Sequence, residues 1–82
     1  MKIIKKIKKL EFENFIIFRD KFNFGNFTID FVICHNEILD IRYYLEIKIG
    51  NIIKEKIFIN FKELIFYLEN FNLYELNKIL YL

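Results

Sequence analysis

The fold of this chain is decided by residues 41–59, which read IRYYLEIKIGNIIKEKIFI. Apolar and polar residues alternate over Ile41–Ile49, the period of two that is typical of a strand with one buried face. Gly50-Asn51 interrupts the pattern, and a second apolar-rich run follows over Ile52–Ile59. Two such runs around a glycine-containing pair predict a β-hairpin, which is the strongest local signal in the sequence.

The register of this hairpin has two alternatives. A strict two-residue loop places Glu46 opposite Glu55, which sets two like charges side by side. The same loop places Leu45 opposite Lys56. One additional loop residue instead pairs Leu45 with Ile57 and brings Glu46 opposite Lys56. We prefer this second register because it satisfies both apolar burial and the pairing of charges across the strands.

Two more strands are predicted upstream of the hairpin. Leu10 and Phe12 alternate with acidic residues and lead into an apolar run, which predicts a first strand near residues 10–18 with Phe12 in the core. Arg19–Asn26 contains Asp, Asn and Gly and is predicted as a turn. Phe27–Cys34 alternates again and predicts the second strand, with Phe27 and the other odd-numbered residues on its buried face. A further turn is expected at residues 35–37.

Residues 60–82 predict two short helices. Asn60 is followed by Glu63, and Asn72 by Glu75, and both spacings are those of a helix-capping pair. The apolar stripe of the first helix consists of Phe61, Leu64, Ile65 and Leu68. The apolar face of the sheet and the apolar stripes of the helices can be buried only by packing against each other. We therefore predict an α+β fold, a small two-layer domain with a four-stranded antiparallel sheet packed by two C-terminal helices, and a single domain over residues 1–82.

The first ten residues, MKIIKKIKKL, contain five lysines. Because the whole chain carries a net charge of +2, residues 11–82 are acidic on balance. Apolar residues recur at Ile3, Ile4, Ile7 and Leu10 with helical spacing. Residues 1–10 are therefore predicted either as a short amphipathic basic helix or as a frayed basic arm leading into a strand.

The composition is unusually apolar for a chain of 82 residues, with 55% hydrophobic and 20% aromatic residues. A domain this small buries only about 60% of its unfolded surface, so part of the aromatic surplus is expected on the outside as a binding surface. The narrow, Ile-, Lys- and Asn-rich alphabet fits A/T-rich coding. No signal peptide or membrane span is evident, and we expect a cytoplasmic protein.

Two groups of residues are candidates for a catalytic or metal-binding site. Cys34 and His35 are adjacent, but neighbours on a strand point to opposite faces, which favours a buried thiol and a turn imidazole over a catalytic pair. Asp30 or Asp40 upstream of Glu46-Ile47-Lys48 has the acid and Glu-x-Lys pattern of metal-dependent nucleases of the PD-(D/E)xK type. That pattern is common on solvated strands, and we predict no catalytic, cofactor-binding or metal-binding residues.

The sequence instead favours a non-enzymatic protein-binding or inhibitor module that masks a host protein or nucleoprotein. A small A/T-rich gene product suits a prokaryotic virus or mobile element, and small anti-defence inhibitors such as anti-CRISPR proteins share this general profile. The predicted partner-binding residues are Tyr44, Phe58, Tyr67, Tyr74, Tyr81, Glu46, Lys5, Lys6, Lys8 and Lys9. We also expect a homodimer, formed through an edge strand or the outer helix face. The alternative function is nucleic-acid binding by the N-terminal lysines and exposed aromatic residues.

Overall fold

In a computed structural model, which describes residues 2–81, the chain forms four strands and three short helices. Their bounds are Lys2–Lys8 (α1), Phe15–Phe24 (β1), Phe27–Asn36 (β2), Asp40–Ile49 (β3), Ile52–Phe58 (β4), Phe61–Glu69 (α2) and Leu73–Tyr81 (α3). The strands make one antiparallel sheet in the order β1-β2-β3-β4. This confirms the predicted α+β fold, including the two C-terminal helices and the short N-terminal helix.

The helices pack on one face of the sheet, which we call the inner face. The alternation of the central strands points Ile29, Phe31 and Ile33 of β2, with Leu45 and Ile47 of β3, towards that face. All five side chains are at most 1% exposed. Burying a side chain of this size contributes about 1.5–3 kcal/mol, so the alternation is a main source of stability. The opposite face, which we call the open face, has no helix from residues 2–81 on it.

The hairpin of β3 and β4 adopts the register that we did not prefer. Glu46 lies opposite Glu55 and Leu45 lies opposite Lys56. The loop is the strict two-residue pair, with Gly50 at a φ of +60°. A glycine with positive φ in the first loop position matches the turn chemistry that fits the twist of a tight hairpin. Turn geometry therefore outweighed the pairing of charges in setting the register.

The first strand was placed too early and made too short. It was expected near residues 10–18, but β1 runs over Phe15–Phe24 and includes most of the predicted turn Arg19–Asn26. Only Gly25 and Asn26 turn the chain. The polar residues that suggested a turn lie within a strand that keeps its period of two. Phe12, predicted as a core residue of this strand, lies in the α1–β1 connection and is 90% exposed.

An aromatic cluster closes one end of the core. Phe22 and Phe24 of β1 meet Phe31 of β2 and Phe71 of the α2–α3 connection, with ring centroids 5.1 to 6.4 Å apart. Several of these pairs are edge-to-face, the arrangement that aromatic rings favour. Phe27, also predicted as a core residue, is 38% exposed at the start of β2.

The N-terminal lysine-rich segment is a helix, not a frayed arm. Ile3 is 4% exposed and Ile7 is fully buried, so α1 contributes its apolar side to the core. On its outer side, Nζ of Lys6 donates to Oδ2 of Asp20 on β1 at 3.1 Å. The predicted amphipathic helix is confirmed, and it is part of the folded domain.

The C-terminal helices begin at the predicted caps. Oδ1 of Asn60 accepts a hydrogen bond from the backbone N–H of Glu63 at 2.9 Å, and Oδ1 of Asn72 accepts one from Glu75 at 3.1 Å. Such caps satisfy backbone donors that have no partner within the helix. Among residues 2–81, no helix has the length and apolarity needed to cross a membrane.

Replacing Ile7 tests whether α1 belongs to the cooperative fold. Ile7→Ala should lower the free energy of unfolding by about 2–4 kcal/mol, because it leaves a cavity in the core. Lys5→Ala, at an exposed position of the same helix, should change it by less than about 0.5 kcal/mol. Urea denaturation followed by circular dichroism measures both. Equal, small effects would mean that α1 is only loosely attached.

Replacing Gly50 tests the turn that sets the hairpin register. A Cβ added at Gly50 would meet no atom within 4 Å, so Gly50→Ala should cost only the strain of a positive φ, about 1–2 kcal/mol. Asn51→Ala, whose φ is not positive, should cost clearly less. The midpoints of urea denaturation compare the two variants. A Gly50→Ala variant as stable as the wild type would contradict the positive φ.

Candidate functional site

An open groove of about 700 Å³ lies between β4, α2 and α3. The residues that line it, which together we call the groove, are Phe58, Asn60, Lys62, Glu63, Phe66, Tyr67, Asn70 and Glu75. Its walls are aromatic, and its polar atoms come from the two helices and the segment before α2. Recognition sites in proteins typically have this composition and a volume in this range.

The position of the groove follows from how α2 packs. The helix buries its predicted stripe on the inner face of the sheet, and the stripe consists of Phe61, Leu64, Ile65 and Leu68. Phe66 lies outside this stripe and is 70% exposed. Tyr67 lies between the two sides of the helix and is partly buried. The apolar side of the helix therefore continues beyond the core and forms a groove wall.

The electrostatics of the groove centre on Glu75, the acidic residue in the first turn of α3. The hydroxyl of Tyr67 donates a hydrogen bond of 2.6 Å to its Oε1. Two ammonium groups also approach it, Lys56 Nζ at 3.6 Å from Oε1 and Lys78 Nζ at 3.7 Å from Oε2. Lys56, predicted to pair with Glu46, pairs instead with this residue across the edge of the sheet.

These contacts shift two pKa values in opposite directions. Burial alone would raise the pKa of Glu75, but the hydrogen bond from Tyr67 and the charges of Lys56 and Lys78 hold it below its ordinary value. Burial, followed by the hydrogen bond to Glu75, raises the pKa of Tyr67. At neutral pH the groove therefore holds a carboxylate and a neutral phenol.

Four of the five aromatic residues predicted to bind a partner lie on this side of the molecule. Phe58 and Tyr67 line the groove, with ring centroids 5.5 Å apart. Tyr74 and Tyr81 lie on α3 and are 72% and 76% exposed. Nζ of Lys78 sits 5.5 Å from the ring centroid of Tyr74. Phe58 and Tyr67 are half-buried, so they form the groove wall rather than free surface anchors.

The other two predicted residues of the sheet, Tyr44 and Glu46, lie on the open face and not in the groove. The hydroxyl of Tyr44 donates to Oδ2 of Asp40 at 2.5 Å, and Nη2 of Arg42 donates to the Tyr44 hydroxyl at 3.0 Å. Glu46 stands opposite Glu55 rather than opposite Lys56. The structure thus divides the predicted partner-binding residues between two faces.

The four lysines predicted as a binding arm are exposed on and just after α1. Two of them form ion pairs with the body of the domain, Lys6 with Asp20 and Lys8 with Glu69 at 3.4 Å. Lys5 and Lys9 are exposed. The lysines are therefore a charged side of a docked helix, and part of their charge is already neutralised.

The adjacent cysteine and histidine point to opposite faces, as the strand geometry predicts. Their environments are the reverse of the expected ones, because Cys34 is exposed on the open face while His35 is 5% exposed on the inner face. The His35 ring stacks on Tyr43 at 3.9 Å, and its Nδ1 lies 3.0 Å from the carbonyl oxygen of Arg42. Since a carbonyl only accepts, Nδ1 is the protonated nitrogen there.

The two aspartates of the nuclease-like pattern form ion pairs with arginines. Asp30 receives a 2.6 Å ion pair from Arg19, and Asp40 receives one of 2.8 Å from Arg42. The hydrogen bond from Arg19 holds the pKa of Asp30 below its ordinary value, and the contacts of Asp40 with Arg42 and Tyr44 do the same there. Within residues 2–81, no group of three or more His, Cys, Asp or Glu is placed to hold a metal ion.

The sequence did not identify the groove itself. Phe66, Lys62, Glu63 and Asn70 were not predicted as site residues, although they line it together with Phe58. A local signal existed for Phe66, since it is a large apolar residue outside the buried stripe of α2. Lys62, Glu63 and Asn70 lie three or four residues from Phe66 and so share its side of α2. Phe58 and Glu75, in contrast, reach the groove only through the packing of α2 and α3 against β4, which depends on contacts distant in sequence.

Replacing Glu75 tests the charge cluster of the groove. Because its pKa is lowered in the fold from 4.5, Glu75 stabilises the protein above about pH 4.5, and this contribution is lost as the pH falls further. Glu75→Gln should therefore be less stable than wild type at pH 7 by on the order of 1 kcal/mol, with the gap closing below pH 4. Thermal unfolding at several pH values measures this. A gap that stays constant with pH would contradict the role of its charge.

Comparison with known proteins gave no match: no family model matches the chain, and neither a curated protein nor a solved structure matches it. A function for this chain therefore has to be inferred from its own surfaces and charges.

Proposed function

We propose that this chain is a non-enzymatic protein-binding module that covers a surface of another macromolecule, with the groove as its recognition site. The observation that carries this proposal is an open, aromatic-walled groove of about 700 Å³ with a charged cluster at one side. Apolar walls supply binding energy on desolvation, and a few fixed polar groups supply orientation. Both kinds of group are present around Glu75.

The proposed partner is a protein segment that inserts an apolar side chain into the groove. Phe66 on the groove wall is 70% exposed, and Tyr74 and Tyr81 on the next helix are 72% and 76% exposed. Exposed aromatic residues of this kind are enriched among the side chains that carry most of the binding energy at interfaces. Phe66 would contact the inserted side chain, and Tyr74 and Tyr81, which line a separate depression on the outer side of α3, would extend the contact beyond the groove.

Masking of a host protein or nucleoprotein is the biological role that we propose for this binding. It rests on the small size and A/T-rich coding, which suit an inhibitor from a prokaryotic virus or mobile element, of the kind that anti-CRISPR proteins exemplify. The groove supplies an apolar contact surface for this role, because a masking protein needs contacts that persist at physiological salt.

Replacing Phe66 tests the proposal. The protein, immobilised through a tag, should capture a specific protein from a nuclease-treated lysate of its natural host cells, and Phe66→Asn should reduce the captured amount at least about tenfold. A tenfold loss corresponds to about 1.4 kcal/mol, a modest share of the energy of a buried aromatic anchor. Capture should persist at 0.5 M salt, because apolar contacts are not screened.

The matched control is Phe12→Asn, which removes a phenylalanine that is even more exposed than Phe66 and does not line the groove. It should capture as much as the wild type. Capture that disappears after nuclease treatment, or that Lys5→Ser and Lys9→Ser abolish while Phe66→Asn has no effect, would overturn the proposal. That result would favour the alternative function, nucleic-acid binding by the lysines of α1. Such binding would also weaken steeply with salt, because it depends on phosphate contacts.

A further inference from the structure

The open face of the sheet carries an apolar row that crosses all four strands. The strand registers place Ile17, Cys34, Tyr44 and Ile57 side by side in this row. Ile17 and Ile57, on the two outer strands, are 71% and 52% exposed. Phe15 on β1 and Ile53 on β4 are also exposed on this face, and a contiguous apolar strip of this kind marks an interaction surface.

In the row next to the apolar one, basic and acidic residues lie on opposite halves of the open face. The adjacent row consists of Arg19, Val32, Glu46 and Glu55 in strand order. Its basic end is therefore on β1 and its acidic end on β3 and β4. Glu46 and Glu55 are directly opposite each other, an arrangement that destabilises a sheet unless a cation lies nearby.

Arg19, at the other end of this row, has a hydrogen-bond donor group that its contact with Asp30 does not use. Arg19 uses Nε and Nη2 to hold Asp30, and Nη1 has no hydrogen-bond partner among residues 2–81. Its side chain is 63% exposed. The third row runs from Lys21 through Asp30 and Lys48 to Ile53 on β4. The face thus offers an available cation on one outer strand and an acidic pair at the opposite side.

Symmetry decides which surface complements such a face. A twofold axis parallel to the strands lays β1 of one copy over β4 of the other, so that Arg19 meets the second copy's Glu55. The same axis brings Ile17 over Ile57. A twofold axis perpendicular to the strands would instead lay β1 over β1 and β4 over β4, so neither Arg19 nor Glu55 would meet an opposite charge on the strand that faces it. The first arrangement brings Arg19 over an opposite charge and Ile17 over an apolar residue, and it places Val32 over the second copy's Glu46.

The third row agrees with this choice. With the axis parallel to the strands, Asp30 of one copy lies over Lys48 of the other, again two opposite charges. The same axis also lays Lys21 of one copy over Ile53 of the other. Two packed sheets cross at about −30°, which offsets facing rows at the outer strands by only a few ångströms, within reach of Arg and Glu side chains. The interface is isologous, as in most homodimers.

We propose that two copies of this chain pack open face to open face about a twofold axis parallel to the strands. Four strands about 4.8 Å apart and up to ten residues long present a face on the order of 600 Å², the lower end of what one partner contributes to a stable interface. The dimer is a four-layer stack with helices outside, and it leaves both grooves exposed. It does not depend on the proposed function of the groove.

A charge exchange tests the proposed pairing. Wild type should have twice its chain mass of 10.2 kDa in sedimentation equilibrium at 50 μM. Arg19→Glu and Glu55→Arg should each be monomeric, because each sets like charges against each other twice in the interface. Mixed in equal amounts, the two variants should form a heterodimer, in which both contacts join opposite charges. Circular dichroism establishes that each variant is folded.

A second pair of variants covers the case in which Arg19→Glu unfolds through loss of the partner of Asp30. Ile57→Asp places a charge in the apolar row and should be monomeric, whereas Ile38→Asp, at a 92% exposed position of the β2–β3 turn, should stay dimeric. A monomeric wild type, folded charge variants that fail to recombine, or equal behaviour of the two isoleucine variants would overturn the dimer. Phe66→Asn should leave the dimer mass unchanged, so failure of the groove proposal is seen separately.

Discussion

The packing of three short helices on one face of the sheet is the interaction on which the rest of the structure depends. The side chains of β2 and β3 that face the helices are fully buried, and α1 adds Ile3 and Ile7 to the same core. Three helices of seven to nine residues can cover one face of a four-stranded sheet and little more. The large apolar residues of the second face, and those at the outer side of α2, are therefore left at the surface by the geometry of a small domain.

The sequence predicted the fold class because its signals were local and agreed with one another. The alternation of β2 and β3, the caps at Asn60 and Asn72 and the stripe of α2 each depend on neighbours a few residues away. The register of the last hairpin was wrong because charge pairing and isoleucine burial were weighed above turn geometry. On an edge strand both can be relaxed, since Lys56 reaches Glu75 on α3 and the outward isoleucines stay half-exposed.

The site was less predictable than the fold. Tyr67 and Phe58 were predicted to lie outside the core stripes, and both line the groove. Their partial burial was not predicted, because it depends on the position of α3, which no local sequence pattern determines. Glu75 was recognised only as a capping residue, and its contacts with Tyr67 and two lysines join segments up to 19 residues apart. Of the two alternatives for residues 1–10, the structure has the helix, because the apolar spacing that predicted a helix also docks that helix onto the core.

The groove and the open face differ in shape and in how their charges are paired, and this difference affects what each can bind. The groove is concave and has charges that are satisfied within it by Tyr67, Lys56 and Lys78, so an apolar group can enter without leaving a buried charge unpaired. The open face is broad, and in the proposed dimer Arg19 of the second copy would lie over Glu55 of its Glu46–Glu55 pair. Joined through that face, two chains would hold two grooves on opposite outer layers. A partner that offers two matching segments would then be bound far more tightly than either groove alone allows, because the second contact becomes intramolecular.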